Sequence, residues 1–217
     1  MNALGSTIKD DGVGLTAAQL HAGLDAVAAR EPRVAAALAQ AGYPDERIRE
    51  RGMATLLRTI VGQQVSFKAA DAIWLKCAAA VGDVTDPAAW LARSEAELRA
   101  AGLSRQKIGY MHSLAAATAS GALDFAALPE DDEAAILALT AVKGIGRWTA
   151  EVYLLFSEGR GDIWPAGDLA VQIAAGRILG LDAKPSEKAT RALAEAWAPH
   201  RGAMAVFAWH YYMTPVI

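Results

Sequence analysis

The residues best suited to chemistry lie in two short segments. The first is Leu139-Thr140-Ala141-Val142-Lys143-Gly144-Ile145-Gly146-Arg147-Trp148-Thr149-Ala150, with two glycines around one apolar residue. Glycine lets the backbone take positive φ and come close to a partner. With one helix entering this turn and another leaving it, the first amides of the second helix lack intrahelical acceptors. They point outward, where an anion such as a phosphate ester can accept them. A plain helix–helix connection whose glycines serve packing would use the same residues. A dinucleotide fingerprint, G-x-G-x-x-G, would not, because Thr149 holds its third glycine position and a helical pattern precedes the turn.

The second segment is Ile163-Trp164-Pro165-Ala166-Gly167-Asp168-Leu169-Ala170. Asp168 directly precedes an apolar run over 169–179 and reads as a helix N-cap. That is reason enough for an aspartate, yet it is compatible with catalysis. Helix-end amides and the helix dipole favour an ionised carboxylate. A fixed carboxylate can stabilise positive charge developing beside it, or orient or deprotonate an attacking water. Both roles stay open at this point.

The elements that must position these residues read as helix after helix. Thr16 with Gln19 and Ser94 with Glu97 form capping boxes, and Asp86-Pro87 supplies a cap and a first-turn proline. Ser104 can cap a helix whose apolar positions Ile108, Met111, Leu114 and Ala115 recur at helical spacing. Further helices are expected over 66–81, 133–139, 148–156, 169–179, 186–197 and 203–212, with Gly180 as a C-cap. No window alternates with period two, so the class is all-α.

At 217 residues and 53% hydrophobic, the chain can bury a core as one large domain or as two lobes sharing one. Gly5, Asp10, Asp11, Gly12 and Gly14 predict a flexible start over 1–14, with a single domain over 15–217. Neither a signal peptide nor a membrane span is expected. The sole cysteine, Cys77, excludes an internal disulfide and a four-cysteine cluster, which suits a cytoplasmic protein. A net charge of −3 argues at first sight against a nucleic-acid partner. Its distribution leaves room for a local basic face, since 51–70 and 99–123 carry Arg51, Arg58, Lys68, Arg99, Arg105 and Lys107 and no acid.

Taken together, the hairpin, the Gly/Pro-rich loop and Asp168 resemble the helix-hairpin-helix DNA glycosylase superfamily, and within it the 3-methyladenine DNA glycosylase II branch. Ile60-Val61-Gly62-Gln63-Gln64-Val65-Ser66 resembles the family's DNA-entering loop, and Trp197-Ala198-Pro199-His200-Arg201 up to Trp209 resembles its closing helix. The likeness runs from about Pro44 to the C-terminus. It implies two helical lobes, the hairpin at 139–150, and a DNA-facing cleft with Asp168 at its edge.

The resemblance further implies a monofunctional enzyme that flips alkylated bases from double-stranded DNA and excises them to begin base excision repair. Such bases carry positive charge, are good leaving groups, and stack well on electron-rich aromatics. Of six tryptophans, Trp148 and Trp209 are the base-pocket candidates, with Tyr211 and Tyr212 beside them, whereas Trp74, Trp90 and Trp197 read as packing. Asp168 is the catalytic residue, and Gln64 is the wedge, held by Gln63 and Ser66. DNA contacts fall to Gln63, Gln64, Ser66, Val142, Gly144, Ile145, Gly146, Arg147 and Thr149. No cofactor is required, but the carbonyls of Thr140, Val142 and Ile145 would hold a Na+ or K+ ion. A monomer is expected. Gln172 departs from the family by standing where a basic residue is frequent. Competing readings are a glycosylase for uncharged lesions or mismatches, and a non-catalytic DNA-binding protein that kept the hairpin.

Overall fold

A computed structural model describes residues 14–214, and among them there is no strand. The flexible start expected over 1–14 lies outside the described residues except for Gly14, which is buried against Ile48 and the Phe156 carbonyl. Two helices come first, α1 (Ala17–Ala28) and α2 (Pro32–Ala41). The Thr16–Gln19 capping box opens α1 as expected. Helix α2 was not foreseen, although its signal is plain in hindsight. Pro32 occupies the first turn, Glu31 accepts the Arg33 N–H at 3.2 Å, and Gly42 ends the helix at φ +75°.

One contiguous stretch then builds a lobe of seven helices. These are α3 (Met53–Gly62), α4 (Phe67–Val81), α5 (Pro87–Leu91), α6 (Glu95–Ala100), α7 (Arg105–Ala119), α8 (Asp132–Thr140) and α9 (Arg147–Phe156). Helix α7 lies against α3, α5 and α6, while α9 packs on α8 and α3. The second lobe combines both ends of the chain. Helices α10 (Leu169–Ile178), α11 (Glu187–Leu193) and α12 (Arg201–Met213), with a 3-10 turn at Ala194–Trp197, close over α1 and α2. A single apolar core runs through both lobes.

Two details correct the sequence reading. Residues 60–62 are not loop but the last turn of α3, which leaves only 63–66 to connect it to α4. The helix expected over 186–197 tightens into a 3-10 turn from Ala194. As expected, Trp90 and Trp197 are fully buried, and Trp74 stacks on Trp90 at 6.1 Å.

Candidate active site

The hairpin joins α8 to α9. Gly144 sits at φ +97°, and a Cβ there would overlap the ring of Tyr110 on α7. Gly146 has an ordinary φ of −86°, is exposed, and would meet nothing with a Cβ. Gly144 is therefore glycine for an internal reason, its contact with Tyr110, and only Gly146 leaves its outer face open. As N-cap of α9, Gly146 offers no side-chain acceptor, so the leading amides of α9 have no partner within the helix.

Asp168 caps α10, and its Oδ1 accepts the Val171 N–H at 3.0 Å. Its Oδ2 accepts the indole Nε1–H of Trp148 at 2.9 Å. Both carboxylate oxygens are thus held by N–H donors from different lobes, fixing the plane of the group. Trp148 as a residue remains 41% exposed at the head of α9, so part of its aromatic side chain can meet a stacking partner. Behind Asp168, the buried Gln172 amide donates to the Ala166 carbonyl at 2.8 Å and accepts from Lys184 Nζ at 2.6 Å. The positive charge missing at position 172 therefore arrives from the loop before α11, on the same face of α10 as Asp168.

In the connection at 63–66, Gln64 takes φ +56° and is exposed, Val65 is exposed, and Ser66 caps α4 through the Ala69 N–H. Gln63 turns inward, and its amide donates to the Gly144 carbonyl at 3.4 Å. Lys107 on α7 donates to the Val61 carbonyl at 2.8 Å, and desolvation lowers its pKa from the ordinary lysine value. The structure thus brings together Asp168 with Trp148, and the 63–66 loop with the hairpin.

A family model described as HhH-GPD superfamily base excision DNA repair protein matches residues 57–200. The chain belongs to this family. DNA-3-methyladenine glycosylase 1 of Schizosaccharomyces pombe is 35% identical over 158 residues, covering 71% of this chain and 69% of that protein. The crystal structure of a DNA-3-methyladenine glycosidase from Bacillus halodurans superposes with a TM-score of 0.82 at 32% identity, over 88% of this chain and 89% of that one. A 3-methyladenine DNA glycosylase of Schizosaccharomyces pombe, solved in complex with abasic DNA, gives a TM-score of 0.76 at 29% identity, over 87% and 95%.

Within this HhH-GPD chain, several residues expected at the DNA surface are engaged inward. The Arg147 guanidinium pairs with Glu133 on α8 through two hydrogen bonds and with the buried Glu151 at 2.9 Å, so it ties the hairpin helices together. The Glu133 contact raises its pKa above the usual arginine value. Thr149, Val142 and Ile145 are buried, which leaves only their main-chain groups for a ligand. Trp209 packs on Phe156 at 5.5 Å, and Phe156 ends α9, about 12 Å along the helix from Trp148. Tyr211 is buried, whereas Tyr212 is partly exposed beneath Arg177. Three arginines of the acid-free stretches are opposed by carboxylates from outside them. Arg58 pairs with Asp71, Arg51 with Glu158, and Arg105 with Glu95.

Sequence reasoning counted Lys107 only toward a basic face and passed over Tyr110, Glu151 and Lys184. Their partners Val61, Gly144, Arg191 and Gln172 lie on other elements, beyond what helical spacing reports. Only the i,i+4 pair of Arg147 with Glu151 carried a local signal.

Proposed function

We propose that the chain is a monofunctional DNA glycosylase that extrudes alkylated bases from duplex DNA and hydrolyses their N-glycosidic bond. The observation that carries this reading is the Trp148–Asp168 pair: an exposed indole face beside a carboxylate fixed by two N–H donors. A base methylated on a ring nitrogen is cationic. When the bond from its nitrogen to the sugar C1′ breaks, the electron pair leaves with the base, which becomes neutral without a proton donor. Positive charge grows on the sugar, and Asp168 stabilises it electrostatically. Water adds at C1′ and releases its proton to the surrounding solvent. Because both Asp168 oxygens are already oriented by N–H groups, charge stabilisation is its first role here, with water alignment through the remaining lone pairs.

The cation itself stacks on the Trp148 face. The α9 amides and the exposed backbone at Gly146 take up a DNA phosphate without any side-chain charge, consistent with a net charge of −3. Gln64 enters the gap left by the extruded base.

The residues around the hairpin also fit a hard monovalent cation. Thr140 closes α8, so its carbonyl lacks a helical donor, and the Val142 carbonyl accepts only the Ile145 N–H, at 3.1 Å, keeping a lone pair. With Ile145, these carbonyls would hold Na+ or K+ and stiffen the turn, supplying no chemistry at the base.

The test is a nicking assay on methylated duplex, in which abasic sites are cleaved by alkali, with Asp168→Asn as control. Strand breaks from the native chain alone are expected. Breaks on an uncharged lesion but not on methylated DNA would move the substrate class. Binding without breaks from either protein would make it a non-catalytic DNA-binding protein.

A further inference from the structure

The loop between α3 and α4 is held in a way its short length does not require. Gln64 is the one non-glycine residue at positive φ among the described residues, a conformation a Cβ disfavours and surroundings must impose. On one side, the Val61 carbonyl is among the last of α3, at the negative end of the helix dipole, and it receives the Lys107 ammonium at 2.8 Å. At the tip, Gln63 reaches the Gly144 carbonyl. Lys107 and Tyr110 lie three residues apart on one face of α7, and Tyr110 is the ring against which Gly144 fits. One helix therefore carries both the seat of the loop and the seat of the hairpin, and Gln63 closes the triangle between them.

We propose that Lys107 is a positioning residue for base extrusion: seated on the Val61 carbonyl, its ammonium fixes the Gln64 loop relative to the hairpin, so that loop and hairpin enter the duplex as one rigid body. This rests on the glycosylase reading above. A residue that merely capped α3 would stabilise the fold and leave events on DNA untouched. A positioning residue acts after the duplex is bound, when the wedge must reach the gap.

The experiment uses a duplex carrying a tetrahydrofuran abasic analogue beside 2-aminopurine, whose fluorescence rises when the wedge unstacks it. With the native chain a rise is expected. Lys107→Met should bind intact duplex within roughly twofold of the native chain, since phosphate contacts are unchanged. It should lose more than about half of the fluorescence rise and excise methylated bases roughly tenfold more slowly at saturating enzyme, short of the roughly 100-fold that about 1 Å of misplacement can bring. Lys107→Arg, which keeps the charge and the reach, should recover both. Should Lys107→Met fail to fold, Gln63→Met removes the other anchor and, at saturating enzyme, should show the same losses of fluorescence rise and excision rate. A full fluorescence rise and native excision rate in a folded Lys107→Met or Gln63→Met would overturn the proposal, even if melting temperature fell. No rise with the native chain would instead overturn the wedge itself, and with it the reading on which this inference stands.

Discussion

Trp148 donates its indole N–H to Asp168 across the boundary between the lobes, at 2.9 Å. The bond ties the orientation of the carboxylate at the head of α10 to the placement of Trp148 at the head of α9. Trp148→Phe keeps a smaller aromatic face and removes the donor. A hydrogen bond to a charged group contributes about 1.5–3 kcal/mol, so single-turnover excision should slow by roughly 10- to 100-fold. Affinity for abasic DNA should stay within about threefold, because the phosphate contacts are intact. A native excision rate in this variant would remove the hydrogen bond from the mechanism.

Asp168→Asn conserves shape, and asparagine caps a helix about as well as aspartate. Fold and DNA affinity should persist, while excision should fall by about 10³-fold, the scale on which lost electrostatic stabilisation acts. The rate is read from alkali-labile breaks in methylated duplex and the fold from the melting temperature. Turnover near the native level would remove Asp168 from catalysis.

The two hairpin glycines should behave differently. Gly144→Ala must fit a Cβ into Tyr110 at positive φ. A destabilisation of about 3 kcal/mol is expected from overpacking and backbone strain combined. Gly146→Ala adds a methyl group to open surface and should leave the melting temperature unchanged. Its binding to damaged and undamaged duplex should weaken alike, because a phosphate is shared by both. Selective loss on damaged DNA would place Gly146 at the base instead.

Glu151 is 2% exposed and stands between Arg147 and Arg191, at 2.9 Å and 3.3 Å. Glu151→Ala leaves two guanidiniums facing a void. Because both are partly in water, the cost should be about 2 kcal/mol rather than the 3–5 kcal/mol of a fully buried pair. That corresponds to a melting temperature lower by roughly 4–8 °C. Burial pushes the Glu151 carboxyl above its ordinary pKa, so folding favours its protonated form. Its contribution to stability is complete below the unfolded carboxyl pKa and declines as pH rises through the folded one. Glu133 runs the other way. Arg147 holds its pKa down, so its contribution is present above the ordinary range and lost as pH falls below it. Acid titration of Glu133→Gln should therefore show a shallower stability loss than the native chain below about pH 4.5.

After the base has left, no covalent step should follow. Trp148, directly after Gly144-Ile145-Gly146-Arg147, has no nucleophile, and Lys143 is exposed in the turn. Borohydride added during turnover should trap no protein–DNA adduct, and chelators should leave excision unaffected. A trapped band that disappears in Lys143→Ala would reassign the chain as bifunctional.

Much of this was legible in the chain because helices announce themselves locally. Thr16, Ser66, Ser94, Ser104, Asp131, Asp168 and Ser186 each precede a helix and each caps it. What a side chain does across the fold was less legible. Arg147 sits where a basic residue invites a phosphate, yet Glu133 and Glu151 already surround it. Gly144 invites the same backbone-to-ligand argument as Gly146, but only tertiary packing reveals the Tyr110 ring against it. Lys184 restores charge beside Gln172 from a different loop, a compensation that spacing along one helix cannot report.

The lobe carrying loop and hairpin is a single uninterrupted run of chain, whereas the lobe carrying Asp168 needs both ends. Helices α1 and α2 pack on each other, but the helices that cover them, α10 and α12, come from the other end of the chain. During synthesis, the 63–66 connection and the hairpin are therefore complete before the part that holds the carboxylate. The lobe bearing Asp168 closes last, after the longest loop in the molecule has been paid for in entropy. Hairpin first and carboxylate last is the order in which this chain is built.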